Sequence, residues 1–125
     1  MRHADDLADW LERLFGTIDA NDADAFVQFM TPDCVYRFGS AAPLQGHAAI
    51  REATVAFFAT IAGLSHRLHR TWQDEDSVVC EGSVTYRRHD GSEVTLPFCN
   101  VFVLSEGLIQ RYSIYADLNP LFTAG

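Results

Sequence analysis

The first part of the chain carries apolar residues at steps of three and four, the spacing of helices that pack one face on a core. One such stripe, from Asp5 to Ile18, predicts a first helix, and its members are Leu7, Trp10, Leu11, Leu14, Phe15 and Ile18. A third helix is predicted from about His47 to Ile61, with Gly63 as its C-terminal cap. Between them, a short second helix is expected to bury Met30 and to stop at Thr31-Pro32-Asp33.

After Gly63 the pattern changes to the alternation of apolar and polar residues that is typical of strands. Four long strands are predicted, at Leu64 to Trp72, Val78 to Arg88, Glu93 to Leu104 and Leu108 to Asp117. A shorter strand, Cys34 to Phe38, precedes the third helix. Because the connections between the four long strands are short, neighbouring strands should run antiparallel.

This order of elements predicts an α+β fold, in which three helices from the N-terminal half pack on one face of a curved, mostly antiparallel sheet. Such an arrangement commonly leaves a concavity between the helices and the sheet, where a small apolar ligand can bind. The chain has 125 residues, no repeat and no linker, so we expect one domain over residues 1–125.

The charge balance narrows the choice of partners. The sequence contains seventeen acidic residues, nine arginines and no lysine, which gives a formal net charge of -8. Without a broad cationic surface, nucleic acid and anionic membranes are not expected as partners. The absence of lysine also excludes a Schiff-base lysine and a phosphate-loop lysine.

The cysteines and the start of the chain indicate the compartment. Cys34, Cys80 and Cys99 are odd in number, and each lies in an apolar run, so we expect buried free thiols in a reducing cytosol. The opening MRHADDLADW has no hydrophobic signal core, and no stretch approaches the roughly 20 apolar residues that span a bilayer. The sequence therefore predicts a soluble, cytoplasmic protein.

Asp117 is the first candidate for chemistry. Alternation on the last strand places it with Tyr115 and Ser113 on one face, near the expected mouth of the cavity. A carboxylate held among aromatic rings is destabilised in its ionised form, which suits it to accept a proton as a general base. The alternative is that Asp117 caps the following turn, Leu118-Asn119-Pro120.

Asn100 and His66 are the other catalytic candidates, because each shares the parity of apolar neighbours on its strand. The Asn100 amide could donate a hydrogen bond to an oxygen on which charge develops, or it could be a structural amide that bonds to a neighbouring element. His66 could form an acid–base pair with Asp117, or it could be a core histidine with its bonds satisfied.

Tyr36, Trp72 and Tyr86 also have apolar parity, and each carries a donor that could orient a ligand oxygen, although such aromatic residues are often core. No metal site is expected. His66 and His69 are three residues apart on a strand and point to opposite faces. The stretch from Asp19 to Asp24 lacks the glycine and glutamate of a calcium loop, so we interpret it as a solvated turn between helices.

Three segments carry a resemblance to a known family: IDANDADAFVQFMTPDCVYRFG, PLQGHAAI and CNVFVLSEGLIQRYSIYADLNPL. They resemble the nuclear-transport-factor-2 (NTF2)-like superfamily, in particular its SnoaL-like and ketosteroid-isomerase-like branches. The resemblance implies a cone of three helices on a curved sheet around a pocket, no cofactor, and a homodimer formed through the sheet. Ligand contacts are then expected from Tyr36, Phe38, Trp72, Tyr86, Phe102 and Tyr115.

The chain departs from the isomerase pattern at two places. The isomerase's general base corresponds to a position near Phe38, where this chain has no acid. Its tyrosine donor on the first helix corresponds to Leu14 or Phe15, which have no hydroxyl. Steroid isomerisation by that arrangement is therefore not expected.

The functional hypothesis is a SnoaL-like protein that binds a hydrophobic molecule bearing a carbonyl or a hydroxyl. In its enzymatic form Asp117 moves a proton, while Asn100, with a tyrosine or His66, stabilises the oxygen on which charge builds up. An isomerase, a cyclase, a dehydratase and an epoxide hydrolase could all use such groups. The alternative is a ligand-binding or dimerisation module without turnover.

Overall fold

The fold is taken from a computed structural model that describes residues 4–123. Its helices are α1 (Ala4–Asp19), α2 (Ala23–Val27), α3 (His47–Ala59) and α4 (Asn119–Phe122). Its strands are β1 (Met30–Phe38), β2 (Leu44–Gln45), β3 (Gly63–Asp74), β4 (Ser77–Arg87), β5 (Glu93–Ser105) and β6 (Leu108–Tyr115). The three predicted helices and the run of four long strands confirm the α+β class, while the short elements β2 and α4 were not predicted.

The six strands form one curved sheet in the order β2-β1-β6-β5-β4-β3. The pairs β3–β4, β4–β5 and β5–β6 are antiparallel, as their short connections predict. β1 and β6 are parallel, because the chain leaves β1, passes through α3 and the strands β3 to β5, and returns as β6. The predicted mostly antiparallel sheet is therefore confirmed.

α1 packs its apolar stripe against the sheet. Leu11 and Leu14 have no exposed surface, and Trp10 is buried beside them. The Trp10 ring meets the fully buried ring of Phe102 edge to face, with the ring centroids 5.8 Å apart. Each fully buried side chain of this size contributes about 1.5 to 3 kcal/mol to folding, so this layer is what holds α1 in place.

The region between α2 and β1 differs from its prediction. α2 ends at Val27, and Met30 is the first residue of β1, so Thr31-Pro32-Asp33 lies inside a strand. The pairing of β1 with β6 is irregular just after Met30. A proline has no N–H for a regular ladder, and an irregular stretch accommodates it. Gly63 begins β3 rather than capping α3, which ends at Ala59 and is capped by Thr60.

β3 contains a bulge. Its pairing with β4 omits His69, between Leu68 and Arg70. Gly82 lies opposite the bulge, where an added Cβ would come within 2.0 Å of the carbonyl oxygen of Arg67. The close backbone approach therefore requires glycine, and the extra residue reverses the alternation of β3 beyond it.

β6 contains a second bulge, since its pairing with β5 omits Gln110, between Ile109 and Arg111. Ile109 is buried before the bulge, and Tyr112 is buried after it. Without the bulge these two positions would point to opposite faces of the sheet. The inner face of β6 is consequently formed by the even-numbered residues from Tyr112 onward.

Candidate functional site

A cavity of about 330 Å³ lies between the concave face of the sheet and the helices. Its lining is mostly apolar and consists of Ile18, Phe26, Tyr36, Phe38, Ala41, Ala42, Leu44, Ala53, Thr54, Phe57, Phe58, Leu64, His66, Val84, Tyr86, Phe98, Asn100, Tyr112, Ile114, Ala116, Leu118 and Phe122. Within residues 4–123, no aspartate, glutamate or arginine belongs to this lining. The volume and the apolar walls suit a small organic molecule without charge.

The wall includes His66 on β3, which is hydrogen-bonded to Asp19 at the end of α1. The Nδ1 of His66 lies 2.6 Å from Oδ1 of Asp19, and the backbone N–H of His66 donates to Oδ2 at 3.0 Å. The imidazole packs on the rings of Phe15 and Phe98, with centroids 4.7 and 5.4 Å away. Only 10% of the His66 side chain is exposed, against 28% for Asp19.

This contact determines which nitrogen of His66 is free. A carboxylate can only accept hydrogen bonds, so Nδ1 carries the proton that it donates to Asp19. In the neutral imidazole Nε2 is then the nitrogen with the lone pair, and His66 lines the cavity. An imidazole held in one tautomer by a carboxylate can take a proton from a bound molecule and return it, and the carboxylate stabilises the imidazolium formed in between.

Asn100 on β5 places an amide in the same wall. It pairs with Cys80 on one side and Ile114 on the other, and it is only 2% exposed. Within the described part of the chain, its Oδ1 is buried and has no hydrogen-bond partner. An acceptor left without a partner in the interior is costly for folding.

Three tyrosines from three strands also line the cavity: Tyr36 on β1, Tyr86 on β4 and Tyr112 on β6. The ring centroids of Tyr36 and Tyr112 are 5.1 Å apart. Burial raises the pKa of Tyr86 to about 12, and burial also raises the pKa of Tyr36 and Tyr112, so that all three remain protonated hydroxyls near neutral pH. The Tyr112 hydroxyl is buried and finds no partner among residues 4–123.

Asp117 does not face the cavity. Its side chain is exposed, and its Oδ1 accepts the backbone N–H of Asn119 at 3.0 Å, which is the turn cap considered as the alternative. Ala116 and Leu118, on either side of it, line the cavity instead. The bulge at Gln110 explains the error, because it turns the odd-numbered residues of β6 outward. Asp117 therefore cannot form the expected pair with His66.

Three of the expected ligand contacts also lie elsewhere. Trp72 is 48% exposed on the outer face of the sheet, because it follows the bulge at His69. Tyr115 is 60% exposed for the same reason as Asp117. Phe102 does point inward, but it is fully buried under Trp10 and does not reach the cavity. The predicted site residues that do line the cavity are His66, Asn100, Tyr36, Phe38 and Tyr86. Their roles stay predictions.

Sequence reasoning missed Asp19, which it placed in a solvated turn. The contact with His66 joins residues 47 positions apart, so no local pattern announces it. Asp19 is the last residue of α1, and the apolar stripe that seats α1 on the sheet brings its end to β3. The available signal was an acid at the end of a predicted helix.

Three further findings complete the description of residues 4–123. Among residues 4–123, no group of three or more His, Cys, Asp or Glu side chains is placed to hold a metal ion. The hydroxyl of Thr54, another polar residue of the lining, donates to the carbonyl of Ile50 at 2.7 Å and is satisfied. No helix in the described part of the chain is long and apolar enough to cross a membrane.

Comparison with known proteins yields one family. A family model described as the SnoaL-like domain matches residues 11–112. The matched range begins within α1 and ends within β6, so it includes most of the cavity wall and the whole of the His66–Asp19 pair. No curated protein matches the chain.

Solved structures share the fold at low sequence identity. TerC, co-crystallized with polyporic acid, is 18% identical with a TM-score of 0.80, over 91% of this chain and 93% of TerC. A candidate SnoaL-like polyketide cyclase from Jannaschia sp. CCS1 is 20% identical with a TM-score of 0.80, over 94% of this chain and 89% of the cyclase. A protein from Catenulispora acidiphila with a ketosteroid isomerase-like fold, in complex with trimethylamine, is 14% identical with a TM-score of 0.80. The similarity covers 86% of this chain and 85% of that protein. These similarities confirm the predicted NTF2-like cone.

Proposed function

The chain belongs to the SnoaL-like domain family, and from that premise we propose that its cavity binds an uncharged, mostly apolar organic molecule and that His66 moves a proton on it. The bound molecule carries a carbonyl or a hydroxyl, since the polar groups of the wall are hydroxyls, an amide and an imidazole. The observation that carries the proposal is the His66–Asp19 pair at the edge of an otherwise uncharged cavity.

Binding is supported by the shape and chemistry of the cavity. Its volume falls at the lower end of the range of small-molecule sites, and a charged ligand would find no counter-charge among the described lining residues. Two structures of the same fold were obtained with the small molecules polyporic acid and trimethylamine. They support the proposal that a protein of this fold binds a small organic molecule.

The proposed step is removal of a proton from a carbon next to a carbonyl. Nε2 of His66 takes the proton, the electron pair of the C–H bond forms a C=C bond, and the π pair of the carbonyl moves onto its oxygen. Asp19 stabilises the imidazolium, and the Asn100 amide with a tyrosine hydroxyl donates to the oxygen that becomes negative. The imidazolium then returns the proton to a carbon, to a leaving hydroxyl, or to the oxygen of a second carbonyl that the enolate carbon has attacked. A double-bond shift, an aldol cyclisation and a dehydration all begin with this step.

The experiment follows exchange of the acidic α-protons of 2-tetralone, an uncharged bicyclic ketone, for deuterium by proton NMR in D2O. We expect the protein to accelerate the exchange and His66→Gln to lower that acceleration by about a hundredfold, the usual contribution of a positioned acid or base. Asp19→Asn should lower it by about tenfold, because the imidazole loses its orienting carboxylate. His69→Gln, at an exposed histidine outside the cavity lining, is the matched control.

The sequence alone pointed to Asp117 as the residue that moves the proton, and Asp117→Asn tests that alternative. This variant should leave the exchange rate unchanged. Loss of exchange in that variant, or full exchange in His66→Gln, would contradict the assignment of His66. If 2-tetralone binds in the cavity and the protein does not accelerate its exchange, the alternative of a ligand-binding module without turnover is favoured. Circular dichroism of each variant shows that the fold is kept.

A further inference from the structure

The cavity opens to solvent beside the C-terminal segment. Of its lining residues, Ala41, Ala42 and Phe122 are exposed, and they mark the rim of the opening. Phe122 of α4 is 62% exposed although it borders the cavity, and Leu118, just before α4, lines the cavity as well. α4 therefore borders the opening through which a molecule enters the cavity.

Arg88, which directly follows β4, holds α4 in this position. Its Nη2 donates to the carbonyl of Pro120 at 2.8 Å, and its Nε donates to the carbonyl of Leu121 at 3.2 Å. In a helix of four residues these carbonyls lack the partners that a longer helix would supply. A planar guanidinium presents several donors in a fixed geometry, so one side chain can bind two successive carbonyls.

The turn between β4 and β5 holds the Arg88 side chain in place. Its Nη1 donates to the hydroxyl oxygen of Ser92 at 3.1 Å, and its backbone N–H donates to the carbonyl of Ser92 at 2.8 Å. Oδ1 of Asp90 accepts both the hydroxyl and the backbone N–H of Ser92, at 2.6 and 2.9 Å. These bonds lower the pKa of Asp90, so its carboxylate stays ionised and keeps the turn closed around Arg88.

The remaining attachments of α4 are local or apolar. The side chain of Leu121 is buried, and Asp117 accepts the backbone N–H of Asn119 within the same turn. The buried leucine keeps the segment near the sheet, whereas the bonds from Arg88 fix its orientation. A change at Arg88 should therefore loosen α4 without unfolding the sheet.

We propose that Arg88 is a positioning residue that keeps α4 at the mouth of the cavity and thereby sets the rates at which a ligand enters and leaves. The inference rests on the proposed function only in that the cavity binds an uncharged apolar molecule. When the two bonds to the carbonyls are lost, α4 spends more of its time displaced. Entry and exit then accelerate together, while affinity stays nearly constant, because Arg88 is not among the lining residues.

Stopped-flow fluorescence with N-phenyl-1-naphthylamine, an uncharged probe that brightens in apolar surroundings, measures both rates. Arg88→Met should raise the association and dissociation rate constants by about tenfold each, which corresponds to the loss of two ordinary hydrogen bonds. The Kd should change by less than about threefold. A lysine ammonium cannot bind both carbonyls in the geometry of the planar guanidinium. Both rate constants of Arg88→Lys should therefore lie between those of the wild type and those of Arg88→Met.

Arg87→Met is the matched control, since the Arg87 guanidinium donates to Ala62 and not to α4. Phe122→Ala removes the side chain at the rim while keeping the tether, and it should accelerate both rates too. Hydrogen exchange of the amides of Leu121 and Phe122 should increase in Arg88→Met and not in Arg87→Met.

Unchanged rates and unchanged hydrogen exchange in Arg88→Met would overturn the role of Arg88 and leave the proposed function intact. A large loss of affinity with unchanged rates of entry would also overturn it, because that result describes a ligand contact and not a tether. If the wild-type protein does not bind the probe, binding of an uncharged apolar molecule is contradicted, and the role of Arg88 in ligand exchange is overturned with it.

Discussion

Asp19 and Asp117 show how backbone position decides what a carboxylate can do. Asp19 ends α1 beside β3, where it binds both the ring and the backbone N–H of His66. Asp117 follows β6 on the outer side and binds the backbone of its own turn. The two residues have the same chemistry, and only Asp19 can act on a group that faces the cavity. The difference arises from long-range packing for Asp19 and from one bulge for Asp117.

The Tyr112 hydroxyl allows a test at the scale of a single residue. It is buried without a partner in the described part of the chain, so its desolvation is not offset by a hydrogen bond. Tyr112→Phe should keep the free energy of unfolding unchanged or raise it by up to about 1 kcal/mol in urea denaturation. Tyr115→Phe, at the exposed tyrosine, should have no effect. A decrease of more than about 1 kcal/mol for Tyr112→Phe would show that the hydroxyl does have a partner.

Residue identity and parity predicted part of the site. His66 and Asn100 line the cavity because each lies on a regular part of its strand, where alternation holds. Trp72 and Tyr115 lie beyond bulges, where alternation is reversed, and no residue in the sequence marks those bulges strongly. Asp19 could not be predicted, because its partner is chosen by the packing of α1.

At the scale of elements, the apolar stripe of α1 and the long strands were predictable because each signal is strong and local. The stripe repeats over 14 residues from Asp5 to Ile18, and the short connections between β3, β4, β5 and β6 leave only hairpins. β2 and α4 have two and four residues, which is too short for a period to be read. Elements of that length are fixed by their tertiary contacts.

The bulge at His69 makes a prediction about the sheet. An alanine Cβ at Gly82 would lie 2.0 Å from the carbonyl oxygen of Arg67, and a backbone atom cannot move away cheaply. Gly82→Ala should therefore lower the free energy of unfolding by about 2 to 3 kcal/mol. Gly16→Ala is the control, because nothing lies within 4 Å of its added Cβ in α1, and it should raise stability by about 0.5 to 1 kcal/mol. Equal effects of the two substitutions would contradict the close approach at the bulge.

At the scale of the whole molecule, the charges and the cavity are kept apart. The chain carries a net charge of -8, yet the described cavity wall holds no carboxylate and no arginine. The sheet places its cavity on one face and the exposed side chains of Trp72 and Tyr115 on the other. The homodimer through the sheet, which the family resemblance implies, stays a prediction. The separation leaves the His66–Asp19 pair as the link between the uncharged cavity and the charged surface.

The most direct test of the account is an NMR titration of protein labelled with 15N-histidine, using 2-tetralone as the ligand. We predict that Nδ1 of His66 is the protonated nitrogen both with and without ligand, and that the Nε2 resonance shifts as the cavity fills. The ring nitrogens of the exposed His69 should not respond. A ligand that binds without moving Nε2 of His66, or that contacts Asp117 instead, would contradict the central claim.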